Sequence, residues 1–105
     1  MTDTTRLQAA IDDLRPRLGA LPDIRVADGE LMEQHRRLRA AEDQLAAHLG
    51  RTWGARIRRG VDTNQVRMLG VTASGTSGVS GALTNWLAGA ERRLARITQP
   101  AIGEG

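Results

Sequence analysis

Few side chains in this 105-residue chain can do chemistry, and their spacing limits what that chemistry is. His35 and His48 are the only histidines, thirteen residues apart on one predicted helix. That is almost four turns, so the two cannot share a metal ion within one chain. Without cysteine, disulfides, thiolate ligands and thiol nucleophiles are excluded. Ser74, Ser77 and Ser80 have no base placed to activate them, and no pair of carboxylates stands out from the acids of solvated helix faces. The sequence therefore predicts no catalytic residue, no metal site and no bound cofactor.

Two segments offer binding chemistry instead. Arg51, Trp53, Arg56, Arg58, Arg59 and Arg67 set five arginines around one tryptophan, opposed by Asp62 alone. Guanidinium groups interleaved with an aromatic ring suit single-stranded nucleic acid or a phosphate backbone. The plainer reading is a core tryptophan beside solvated charge. The second segment is Gly75-Thr-Ser-Gly78-Val-Ser-Gly81. A glycine-rich strand-to-helix turn can cradle phosphate on backbone N–H groups. This one lacks the Gly-Lys-Ser/Thr of a P-loop and the βαβ setting of a dinucleotide fingerprint. Its small residues read better as a place where a neighbouring backbone comes close.

All fifteen basic residues are arginine, the mark of a GC-rich coding sequence or of selection for a planar, bidentate group. The net charge of +3 is polarised, with −2 over residues 1–50 and +5 over residues 51–105, so a basic face is expected. Leu, Ile and Val total 22, Phe and Tyr are absent, and Trp53 and Trp86 are the only aromatics. A single small domain over residues 1–105 with so thin a core gains from oligomerisation. Against this background the 23 residues 68–90, MLGVTASGTSGVSGALTNWLAGA, carry no charge. They are long enough to span a bilayer, but Thr72, Ser74, Thr76, Ser77, Ser80, Thr84 and Asn85 argue against insertion. The N-terminus MTDTTRLQAA has no apolar signal stretch, so a cytoplasmic location without membrane contact is the default.

Periodicity supplies the elements that would position these groups. Leu7, Ile11, Leu14, Leu18 and Leu21 repeat at 4-3-4-3, a coiled-coil seam on a helix capped by Thr4 or Thr5. Pro16 interrupts the seam, costs about 3 kcal/mol in a helix interior, and predicts a kink. A second helix, capped by Asp28, carries Leu31, Leu38 and Leu45 at intervals of seven and is expected to run to Leu49. The pair predicts an antiparallel α-hairpin over about 5–21 and 29–49. A short strand or hairpin follows over about 55–73. In it Gln65–Ala73 reads as one strand, paired either with ARIRR upstream or with the same strand of a second copy. A last helix over about 78–98 presents Leu83, Trp86, Leu87, Ala90, Leu94 and Ile97 as an apolar stripe. Pro100 stops it, and residues 99–105 are expected to fray. The fold class is α+β, mostly helical.

The order helix, β-hairpin, helix over residues 31–97 resembles the small head–tail joining proteins of tailed phages. In that comparison VRMLGVTASGTSGVSGALTNWLAGAERRL supplies the second hairpin strand, the turn and the last helix; the extra N-terminal helix departs from the pattern. The resemblance implies a role in assembly. The expectation is a non-enzymatic interaction protein of phage, prophage or accessory type that self-associates and docks on a larger complex. Leu83, Trp86, Leu87, Ala90 and Leu94 would form its interface. The alternative is nucleic-acid binding through Arg51, Trp53, Arg56, Arg58, Arg59 and Arg67.

Overall fold

The computed structural model describes residues 3–98, which fold as α+β: two N-terminal helices, a three-stranded antiparallel sheet and a C-terminal helix. Helix α1 (Asp3–Gly19) runs as one helix through Pro16, which falls in its last turn. The amide that proline lacks would have served the carbonyl of Asp12, an exposed residue where water can substitute.

A 3-10 turn (Val26–Asp28) leads into helix α2 (Leu31–Trp53). The helix starts later than an Asp28 cap would give; Glu30 precedes it at φ 49° and its side chain makes no cap bond. Gln34 ties the connection down instead. Its Oε1 accepts the Arg25 N–H at 2.7 Å, and its Nε2 donates to Arg25 O at 3.0 Å and to Gly29 O. At the far end α2 passes through Gly50 and stops at Gly54, whose φ of 69° is left-handed. Gly54 N–H bonds Gly50 O and Ala55 N–H bonds Leu49 O, a Schellman-type closure that a side chain at position 54 would strain.

Strands β1 (Arg56–Arg59), β2 (Asn64–Met68) and β3 (Val71–Gly75) lie in sequence order. The single strand expected over Gln65–Ala73 is thus two strands. They join through Leu69 at φ 50° and Gly70 at φ 79°, the positive pair of a type I′ turn. The partner of β2 is β1 of the same chain, and their turn closes with Gly60 N–H on Thr63 O at 2.9 Å. A Cβ at Gly60 would lie 2.4 Å from that carbonyl, so only glycine fits.

Helix α3 (Gly78–Thr98) is the hub, packed on β3 and β2 and also on α1. Its buried side chains Val79, Ala82, Leu83, Trp86, Leu87 and Ala90 meet Val66, Met68 and Val71 of the sheet in one core cluster. The uncharged stretch 68–90 therefore runs from the last residue of β2 through the I′ turn, β3 and the turn after it into α3, whose buried stripe it carries. Trp86, fully buried, donates its Nε1–H to Met68 O at 3.1 Å and Val71 O at 3.2 Å, the two carbonyls flanking the I′ turn. Small residues let β3 and α3 approach: a Cβ at Gly75 would stand 2.9 Å from Ala82 N and from Gly81 C.

Helix α1 adds Leu7, Ala10, Ile11 and Leu14 to the apolar core, while α2 adds only Leu45 and Leu49 to it. The seam of α1 finds its apolar complement on α3, so α1 lies closest to α3, and polar side chains link it to the end of α2. Among the described residues no helix is long and apolar enough to cross a membrane. The expected stop at Pro100 and the expected frayed tail, 99–105, lie outside the described residues.

Candidate functional site

Strand alternation sorts the arginines of the basic segment. Side chains two apart share a face. Ile57 of β1 therefore packs toward the core with Val66 and Ala73, while Arg56 and Arg58 point away. On the outer face the register lines up Arg56–Arg67–Thr72 in one row and Arg58–Gln65–Ser74 in the next. All six residues are exposed.

The β-carbons of Arg56 and Arg58 are about 7 Å apart along the strand, and Arg67 is about 5 Å across from Arg56. Among the described residues none of these three arginines makes an ion pair. Like charges placed directly opposite are destabilising, so this pairing works against the sheet rather than for it. At one end of the face a depression of about 330 Å³ is lined by Arg56 and Arg67 together with Gly54, Leu69 and Gly70.

The remaining residues of the basic segment go elsewhere. Arg59 turns to the helix side of the sheet and pairs with Asp43 of α2. Arg51 is exposed in the last turn of α2. Trp53 is half-buried against the core and its Nε1–H reaches Asp13 Oδ2 at 2.9 Å. Of the residues expected at a protein interface, Leu83, Trp86, Leu87 and Ala90 are buried in this chain's own core, and Leu94 is half-buried beside them. A partner reaching the first four would have to displace elements of this fold.

A second polar cluster forms around Asp13 of α1, which no local spacing announces. His48 Nε2 and Trp53 Nε1 donate to its Oδ2 at 2.7 and 2.9 Å, and Arg17 Nε donates to its Oδ1 at 2.9 Å. Burial pushes this carboxyl up, but the hydrogen bonds from Trp53, His48 and Arg17 outweigh it and hold Asp13 well below the usual carboxylate range. Thr52 Oγ1 lies 3.5 Å from His48 Nδ1, completing a carboxylate–imidazole–hydroxyl line. That line ends in the last turn of α2, where carbonyls and the negative end of the helix dipole gather. Such an end repels the oxyanion that nucleophilic chemistry at a hydroxyl would create. The cluster's physical effect is to fasten α1 to the end of α2. The one clue in the sequence is general: a buried tryptophan N–H needs an acceptor.

The glycine-rich strand-to-helix turn is already filled by the protein itself. Glu42 of α2, only 5% exposed, places Oε2 3.0 Å from the Ser80 N–H in the first turn of α3. Gly78 (φ 73°) leaves the room this needs, since a Cβ there would come within 3.3 Å of the same oxygen. The carboxylate stands where a phosphate cradle would hold its anion. Beside it a cleft is lined by His35, Arg39, Glu42, Arg59, Asn64 and Ser77 among others. Its lining is mostly polar, whereas small-molecule sites are mostly apolar. His35 and His48 are far apart on α2, and no group of three or more His, Asp and Glu among the described residues is arranged to hold a metal ion.

No protein-family model matches this chain, and no curated protein and no solved structure matches it. The likeness to phage head–tail joining proteins rests on element order alone, and the third strand is a further departure from that pattern.

Proposed function

We propose that this chain is a small non-enzymatic binding module that grips a polyanion, nucleic-acid phosphates foremost, on the open face of its sheet. The observation that carries the reading is the register of Arg56 directly opposite Arg67, with Arg58 beside them, on an exposed face where none of the three has an ion-pair partner among the described residues. Arginine's fork suits phosphate oxygens, and each phosphate neutralised releases counterions. A protein partner is the weaker fit. Protein interfaces centre on desolvated aromatic, aliphatic and arginine anchors, and of these the six outer-face residues, Arg56, Arg58, Gln65, Arg67, Thr72 and Ser74, offer arginine alone.

The test is a gel shift at low salt with mixed DNA and RNA. The native chain should shift the probe, and the double variant Arg56→Glu, Arg58→Glu should not. A shift that survives the double variant would remove the face from consideration.

A second reading, self-association and docking on a larger complex, draws on a different observation. Val26, Leu31 and Met32 are exposed together around the start of α2. Leu31 opens the Leu31, Leu38, Leu45 seam, of which only Leu45 is buried within the chain, and Val26 and Met32 flank it in sequence. Light scattering at micromolar concentration addresses it. A dimer abolished by Met32→Asp supports the reading, and a monomer in the native chain removes it.

A further inference from the structure

We infer that the polyanion held on the sheet face is a double-stranded nucleic acid, gripped by its phosphate backbone without base stacking and without sequence readout; this rests on the polyanion reading of that face. Proteins that hold single strands pair a cationic groove with aromatic rings, and each stacked base contributes roughly 1–3 kcal/mol. The sheet face has no such ring to offer. Phe and Tyr are absent, and the only aromatics are Trp53 and Trp86. Trp86 is fully buried, with its N–H on Met68 O and Val71 O. Trp53 is half-buried against the core at the end of α2, off that face, with its N–H on Asp13.

What the face does offer is charge at phosphate scale. Arg56, Arg58 and Arg67 stem from points about 5 to 7 Å apart. The other outer-face side chains, Gln65, Thr72 and Ser74, are short or neutral donors that suit phosphate oxygens. A duplex carries the denser charge, and each of its contacts weighs about 0.9 in the salt exponent against about 0.7 for a single strand. Without stacking, that difference decides in favour of the duplex.

Fluorescence anisotropy at low salt tests this with three probes: a labelled duplex of about 20 base pairs, a second duplex of unrelated sequence, and one separated strand of the first. Both duplexes should bind within about twofold of each other, the strand should bind several-fold more weakly, and Arg56→Glu, Arg58→Glu should weaken all three. A single strand bound as tightly as the duplex, or duplexes differing more than tenfold, would overturn the inference while leaving the polyanion reading intact. Failure of all three probes to bind would sink both.

Discussion

Arg56 and Arg67 stand directly opposite each other in the β1–β2 ladder, side by side on the face of the sheet that carries no helix. A sheet selected only for stability would set an acid or a threonine against one of them. The arrangement therefore makes a double-edged prediction. Arg67→Glu should raise stability by about 0.2–1 kcal/mol by exchanging repulsion for a cross-strand ion pair, and should weaken polyanion binding. Urea midpoints and the gel shift read the two effects separately. A variant less stable than the native chain would show that Arg67 supports the fold.

The Glu42 carboxylate joins the middle of α2 to the start of α3 through the Ser80 N–H. Glu42→Ala leaves that donor without its acceptor and should cost about 1–3 kcal/mol in chemical denaturation. Glu42→Gln keeps an amide oxygen at the same place and should cost less. Equal losses in the two variants would mean that charge rather than the hydrogen bond is what the helix end requires.

Acid should loosen the α1–α2 junction. The Asp13 carboxyl is held below its ordinary range in the fold, so the folded state favours its ionised form. Its contribution is fully present above the unfolded value of about 3.9 and is lost as pH falls toward the lower folded value. Urea midpoints should therefore decline below about pH 5. Asp13→Asn should be less stable at neutral pH and should show a shallower acid decline. An unchanged acid slope in that variant would assign the decline to other carboxylates.

Close approach of β3 to α3 rests on Gly75, where an added Cβ meets backbone atoms of Gly81 and Ala82 rather than a movable side chain. Gly75→Ala should cost about 1–3 kcal/mol by forcing strand and helix apart. Thermal unfolding followed by the fluorescence of Trp86, which sits in this same packing, measures it. A variant as stable as the native chain would show that the two elements can separate without loss.

Much of the fold is written locally. The 4-3-4-3 seam of α1, the leucines of α2 and the stripe of α3 all mark real helices, and the uncharged stretch 68–90 supplies much of the core. What stays hidden is what local chemistry contradicts. Leu69 in a left-handed turn conformation disguises two strands as one, because leucine seldom takes positive φ. Gly50 looks like a helix end, but Gly54 supplies the actual one. The arginine run reads as one patch in sequence. Only strand alternation divides Arg56 and Arg58 from Arg59, and only cross-strand register brings Arg67 to them. The Asp13 cluster joins residues 35 and 40 positions apart, a distance across which spacing carries no signal.

The salt dependence of duplex binding bears most directly on the role of the sheet face, because it counts phosphate contacts. Three contacts predict a slope of log K against log salt near −2.7, and Arg67→Ala should bring it to about −1.8. A flat plot for the native chain, or a slope that Arg67→Ala leaves unchanged, would contradict the role assigned to Arg56, Arg58 and Arg67.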